Sequence, residues 1–100
     1  MAFTPEPTGY EKTMLSDLQG AWSVLRASVI DAAGFEGWER VLFHIDEAMS
    51  WETVRNLKRM PPLLLLIRNL CLQGHAPDTV MDEIEEIDEI LKETLSTFVN

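Results

Sequence analysis

The carboxylates near the C-terminus are the groups best placed to do chemistry, and their spacing says which kind. Residues 77–100 hold eight acids, Asp78, Asp82, Glu83, Glu85, Glu86, Asp88, Glu89 and Glu93, against one base, Lys92. Between them Val80, Ile84, Ile87, Leu91, Leu95 and Phe98 recur at intervals of three and four, the period of a helix with one buried face. At about 100° per residue, Asp78, Asp82, Glu85, Glu86, Glu89 and Glu93 fall on the face opposite that stripe. From Asp78 to Glu93 such a helix rises about 22 Å. Its carboxylates then come about every 4 Å, close to the ~3.4 Å spacing of phosphates along a nucleic-acid strand. The chemistry on offer is electrostatic binding of Lys and Arg side chains. The fold gains nothing obvious from the row: like charges at i, i+4 cost a helix a few tenths of a kcal/mol each, and only the first-turn Asp78 recovers some of this through the helix dipole. These six acids are the candidate partner-binding residues. Their other use is to keep a small protein in solution.

The residue types that build catalytic or metal sites are sparse. His44 and Glu47 stand at i, i+3 and share a helix face. The di-iron helix motif runs Glu-x-x-His, in two copies with further Glu ligands; here there is one copy in the reverse order. His75 follows Gly74 in a loop, and Cys71 lies in the most apolar segment, where a buried thiol has a raised pKa and is inert. Neither a Gly-rich phosphate loop, nor a nucleophile elbow, nor a Cys-x-x-Cys pair occurs. Trp22, Trp38 and Trp51 each fall at a helical core position, which makes them packing residues rather than stacking platforms. The expectation is a non-enzyme with no metal and no cofactor. One stretch is locally basic: Arg55, Lys58, Arg59 and Arg68 face only Glu52 between positions 51 and 73. These bases can neutralise part of the acidic helix, within the fold or between subunits.

The elements that would carry these residues are helices. Thr8 and Glu11 match a capping box. After it, Met14, Leu15, Leu18, Ala21, Trp22, Leu25, Val29 and Ala32 form one stripe on a helix to about Ala33. Gly20 interrupts that helix at a cost of about 1 kcal/mol against Ala, which close packing of a neighbouring helix would explain. Gly34 is a natural C-cap. A second helix starts near Gly37, with Trp38, Val41, Leu42, Ile45 and Met49 inward and Phe43 on another side. Ser50 has the character of an N-cap for a short third helix bearing Trp51, Val54 and Leu57; two helices and one bent rod are both consistent with the pattern. Pro61 and Pro62 end this segment, because a residue before proline avoids the helical region, and Pro62 can occupy the first turn of the next helix. That helix, Leu63 to Leu72, is apolar nearly all round. It is either the centre of the fold or covered by a second copy of the chain. Gln73-Gly74 closes it, and Pro77 opens the last helix, to about Phe98. The sum is an all-α bundle of four or five short helices over residues 9–100, preceded by an extended lead-in, residues 1–8, with Pro5 and Pro7.

Composition agrees. One hundred residues give one modest core, and 46% apolar with 25% charged is a globular composition. The net charge of −9 opposes direct nucleic-acid binding. The lone cysteine precludes an internal disulfide and a Cys-rich zinc site. Eight consecutive apolar residues, Met60 to Ile67, are too few to span a bilayer, and no secretory signal is visible at the N-terminus. A cytoplasmic protein without membrane contact is expected.

In size, acidity and all-helical character, and in the ridge Asp78-Asp82-Glu85-Glu86-Glu89-Glu93, the chain resembles phage-encoded anti-CRISPR proteins, especially inhibitors of type I-F surveillance complexes. The resemblance rests on no motif and transfers no functional residue. It implies a protein in the cytoplasm of the host cell that binds subunits of an RNA-guided complex and blocks DNA hybridisation or nuclease recruitment. Two classes of function follow. One is an inhibitor whose carboxylates occupy the basic nucleic-acid-binding surface of a larger protein or ribonucleoprotein complex. The other is a structural or assembly module, a helical homodimer or small subunit, supported by the helix Leu63–Leu72. Acidic antitoxins share the same composition.

Overall fold

A computed structural model describes residues 9–32, 34–53 and 56–98, with side chains from Thr13 to Thr97. The expected cap at Thr8, the lead-in 1–8, Val54, Arg55 and the side chains of Glu11 and Phe98 lie outside the described residues. The described chain is all-α, with four α-helices: α1 (Gly9–Asp31), α2 (Trp38–Thr53), α3 (Met60–Gln73) and α4 (Asp78–Phe98), and one 3-10 turn, Leu57–Arg59, leading into α3.

Each helix buries one stripe. Leu15, Leu18, Trp22, Leu25 and Val29 come from α1, Val41, Ile45 and Ala48 from α2, Met60, Leu64, Ile67 and Cys71 from α3, and Val80, Ile84, Ile87 and Leu91 from α4. Every step is three or four, so a single side of each 3.6-residue helix faces a shared core. Thr94 continues the α4 stripe in full burial; its hydroxyl donates to the carbonyl of Ile90 at 2.7 Å, so no polar hydrogen is stranded. Helix α1 packs chiefly on α4 and α2 chiefly on α3, while α1–α2 and α3–α4 contacts close the ring. Ser28 meets Glu83 while Gly20 and Ile90 line one groove, so α1 and α4 run antiparallel. Short connections require the same of sequential neighbours.

Several boundaries differ from the sequence reading. Ser50 is not an N-cap: α2 runs through it as one helix to Thr53, and Ser50 is exposed on its surface. Asn56, ahead of the 3-10 turn, lies outside helical angles (φ −100°, ψ 68°). Nor do Pro61 and Pro62 end a segment, since both lie in the first turn of α3. Met60 adopts helical angles (φ −73°, ψ −42°) although a proline follows, and it is wholly buried. The 3-10 turn delivers the chain already coiled, and two prolines remove two of the N–H groups that a helix start leaves without partners.

The other end of α3 explains two residues. Ala76 N–H donates to the Cys71 carbonyl and His75 N–H to the Leu72 carbonyl, a Schellman arrangement. The left-handed residue it needs is His75 (φ 57°), not Gly74. Gly74 serves another purpose. A β-carbon there would fall on the carbonyl oxygen of Glu36, in the connection between α1 and α2. The two connections at this end of the bundle therefore touch backbone to backbone.

Helix α3 is not enclosed on every side. Ile67 has no exposed surface, but Leu66 is 40% exposed, and Leu65 and Leu72 more so. Of the tryptophans only Trp22 is fully buried; Trp38 and Trp51 are half-buried.

Candidate functional site

The regular 4-3-4 burial of α4 dictates where its acids lie. With Val80, Ile84, Ile87 and Leu91 against the core, all six ridge residues, Asp78, Asp82, Glu85, Glu86, Glu89 and Glu93, are exposed. The remaining two acids, Glu83 and Asp88, are half-buried on the flanks and are held by neighbours. Glu83 Oε2 accepts from the Ser28 hydroxyl at 3.0 Å, and Asp88 pairs with Lys92 at 2.9 Å. That hydrogen bond, reinforced by the charge of Asp88, raises the Lys92 pKa above its ordinary value; the charges of Glu85 and Glu89 add to it.

The ridge is not uniform. Glu85 leans towards α3, where Arg68 pairs with it at 3.2 Å. Glu86 leans the other way and lines a groove between α4 and α1. Asp78, Asp82 and Glu86 have no ion-pair partner among the described residues. The α4 surface therefore keeps a strong negative potential over its length.

The basic stretch serves local contacts. Arg68 neutralises Glu85, and the guanidinium of Arg59 lies over the Trp51 ring, 5.1 Å from its centroid, at cation–π distance. Lys58 is exposed. Arg26 binds Asp46 at 2.7 Å, joining α1 to α2. His44 and Glu47 do share a face, with His44 Nδ1 3.0 Å from Glu47 Oε1. The Cys71 thiol is buried, and loss of hydration pushes its pKa up to about 11, which keeps it protonated at neutral pH.

Sequence reasoning missed two surface features. The first is the α1–α4 groove, of about 460 Å³, which includes Gly20, Val24 and Ile90. Gly20 does not admit a closely packed helix; a β-carbon there would meet nothing within 4 Å. Its signal was a glycine inside a long helix beside Val24, an apolar residue off the buried stripe. The second is the place of Trp51: expected inward, it borders Asp46 and Glu47 beside Phe43, which lies off the buried stripe as expected and is 65% exposed. The chain matches no known protein family, no curated protein and no solved structure.

Proposed function

We propose that this protein is a non-catalytic, protein-binding inhibitor, whose α4 ridge occupies a basic nucleic-acid-binding surface on a larger protein or ribonucleoprotein complex. The observation that carries the reading is the exposure of all six ridge carboxylates along one helix, three of them without a counter-charge among the described residues. Fixed charges at a spacing near that of phosphates compete for the same Lys and Arg side chains without paying the cost of ordering a flexible acidic chain. An anti-CRISPR protein acting on a type I-F complex is the specific form that the resemblance in size, acidity and helical character favours.

The test is affinity capture of the partner, followed by binding measured over a salt series. Replacing Asp82, Glu89 and Glu93 together by Asn, Gln and Gln should weaken binding about tenfold or more in low salt, mainly through slower association. Unchanged affinity would reduce the ridge to a solvated face. A second reading, an assembly module, draws on Leu65, Leu66 and Leu72, exposed on α3; a concentration-independent monomer mass together with retained partner binding would exclude self-assembly through that face.

A further inference from the structure

The groove between α1 and α4 combines features that a merely soluble helix pair has no use for. Its apolar lining includes Gly20, Val24 and Ile90, and its polar lining includes Asp17, Glu83 and Glu86. Val24 stays 54% exposed although it is a large aliphatic residue in the middle of a packed helix. Gly20 keeps the groove open, because the space above its α-carbon is empty. Glu83 is the most constrained of the acids. Ser28 donates to its Oε2, while its Oε1 is enclosed by protein with no hydrogen-bond donor among the described residues. No described Lys or Arg pairs with Asp17, Glu83 or Glu86. Three carboxylates thus stand around an apolar trough, and among the described residues no Lys or Arg is paired with any of them.

The chemistry that matches is a long cationic side chain: an aliphatic stem for the trough and a positive head for the carboxylates. We propose that the α1–α4 groove receives an arginine or lysine side chain of the protein partner. The stem lies along Gly20, Val24 and Ile90, and the charge lies among Asp17, Glu83 and Glu86. The proposal rests on the reading of the protein as a binder of basic surfaces and gives that surface its anchor: the ridge attracts by charge, and the groove fixes register through one buried residue. Glu86 belongs to both, so anchor and ridge are continuous.

The decisive variant is Gly20→Leu, which fills the trough while improving helix propensity. It should fold with an unchanged or higher Tm. The probe is a hexa-arginine peptide titrated into nitrogen-15-labelled protein in low salt. Expected are saturable amide shifts at Gly20, Ala21, Val24 and Glu83, and about a tenfold loss of affinity in Gly20→Leu. The ridge variant carrying Asp82→Asn, Glu89→Gln and Glu93→Gln should keep the groove shifts at a lower affinity. Shifts confined to the outer face of α4, with Gly20→Leu binding like the parent, would overturn the groove assignment and leave the ridge reading standing. No binding in low salt would overturn both. Spermine runs as a parallel arm: groove shifts with spermine but not with the peptide would overturn the assignment to a protein side chain.

Discussion

Gly74→Ala drives a β-carbon into the backbone of Glu36, and neither atom belongs to a flexible side chain that can swing away. The connections at that end of the bundle must separate, at an expected cost of about 3 kcal/mol or more, on the scale of strongly destabilising single substitutions. Its neighbour behaves oppositely. His75 holds a left-handed conformation that costs a residue with a β-carbon roughly 1–2 kcal/mol, so His75→Gly should gain up to about 1 kcal/mol. Urea denaturation of the pair reads both signs in one experiment; equal and small effects would show that the two connections do not touch. The sequence made the glycine legible as a helix stop but not its task, because the contact with Glu36 lies far away along the chain. Cys71 adds a pH dependence. Its folded pKa, about 11, lies above an ordinary value near 8.5. Below about pH 8.5 the thiol is neutral in both states and nothing is lost. Above it the unfolded chain ionises first, so stability falls with a slope of up to about 1.4 kcal/mol per pH unit until the folded pKa is passed. Cys71→Ala should show a shallower alkaline decline than the parent; identical declines would mean that the thiol is hydrated.

Among the elements, the burial stripes were legible because each helix repeats its apolar residues at three and four, and that spacing alone selects a face. The stops were less so. Ser50 has the chemistry of a cap, but nothing compels a serine to act as one when α2 continues past it to Thr53, with Ala48 buried and Trp51 half-buried. Pro61 is a breaker only within a helix; at a start it costs nothing. An all-apolar run such as Leu63–Leu72 carries no periodic contrast, so which of its leucines face the core had to come from the neighbouring helices. The structure separates Leu66 from Ile67, and substitution should too. Ile67→Asp places a charge among Leu64, Cys71 and the rest of the core and should unfold the protein, since the penalty is comparable to the whole stability of a small domain. Leu66→Asp, at a 40% exposed position, should change stability by about 1 kcal/mol or less. Circular dichroism with thermal melting distinguishes them. Unfolding by both would mean that α3 is covered on its outer side as well.

At the scale of the whole molecule, salt should act on folding and on binding with opposite signs. Seventeen acids against eight bases leave a net charge of −9, with most of the excess on α4. Self-repulsion of that charge opposes the compact state. Against it stand, among the described residues, the ion pairs Arg26–Asp46, Arg68–Glu85 and Lys92–Asp88, each with at least one exposed member, each worth no more than about 1 kcal/mol. Both contributions are screened, since the Debye length shrinks to about 10 Å at 0.1 M and about 3 Å at 1 M. Among the described residues the carboxylates outnumber these pairs severalfold, so screening should be a net gain. Tm should rise by several degrees between about 0.01 M and about 0.5 M sodium chloride, since 1 kcal/mol corresponds to about 4–8 °C in a domain of this size. Binding to a basic partner should weaken over the same range, because there the screened term is attractive. The variant carrying Asp82→Asn, Glu89→Gln and Glu93→Gln links the two measurements. It should gain less Tm from added salt and show a shallower loss of binding. A Tm that falls with salt would make the ion pairs between helices the dominant electrostatic term, and the ridge would then be part of how the bundle holds together rather than a surface kept for another molecule.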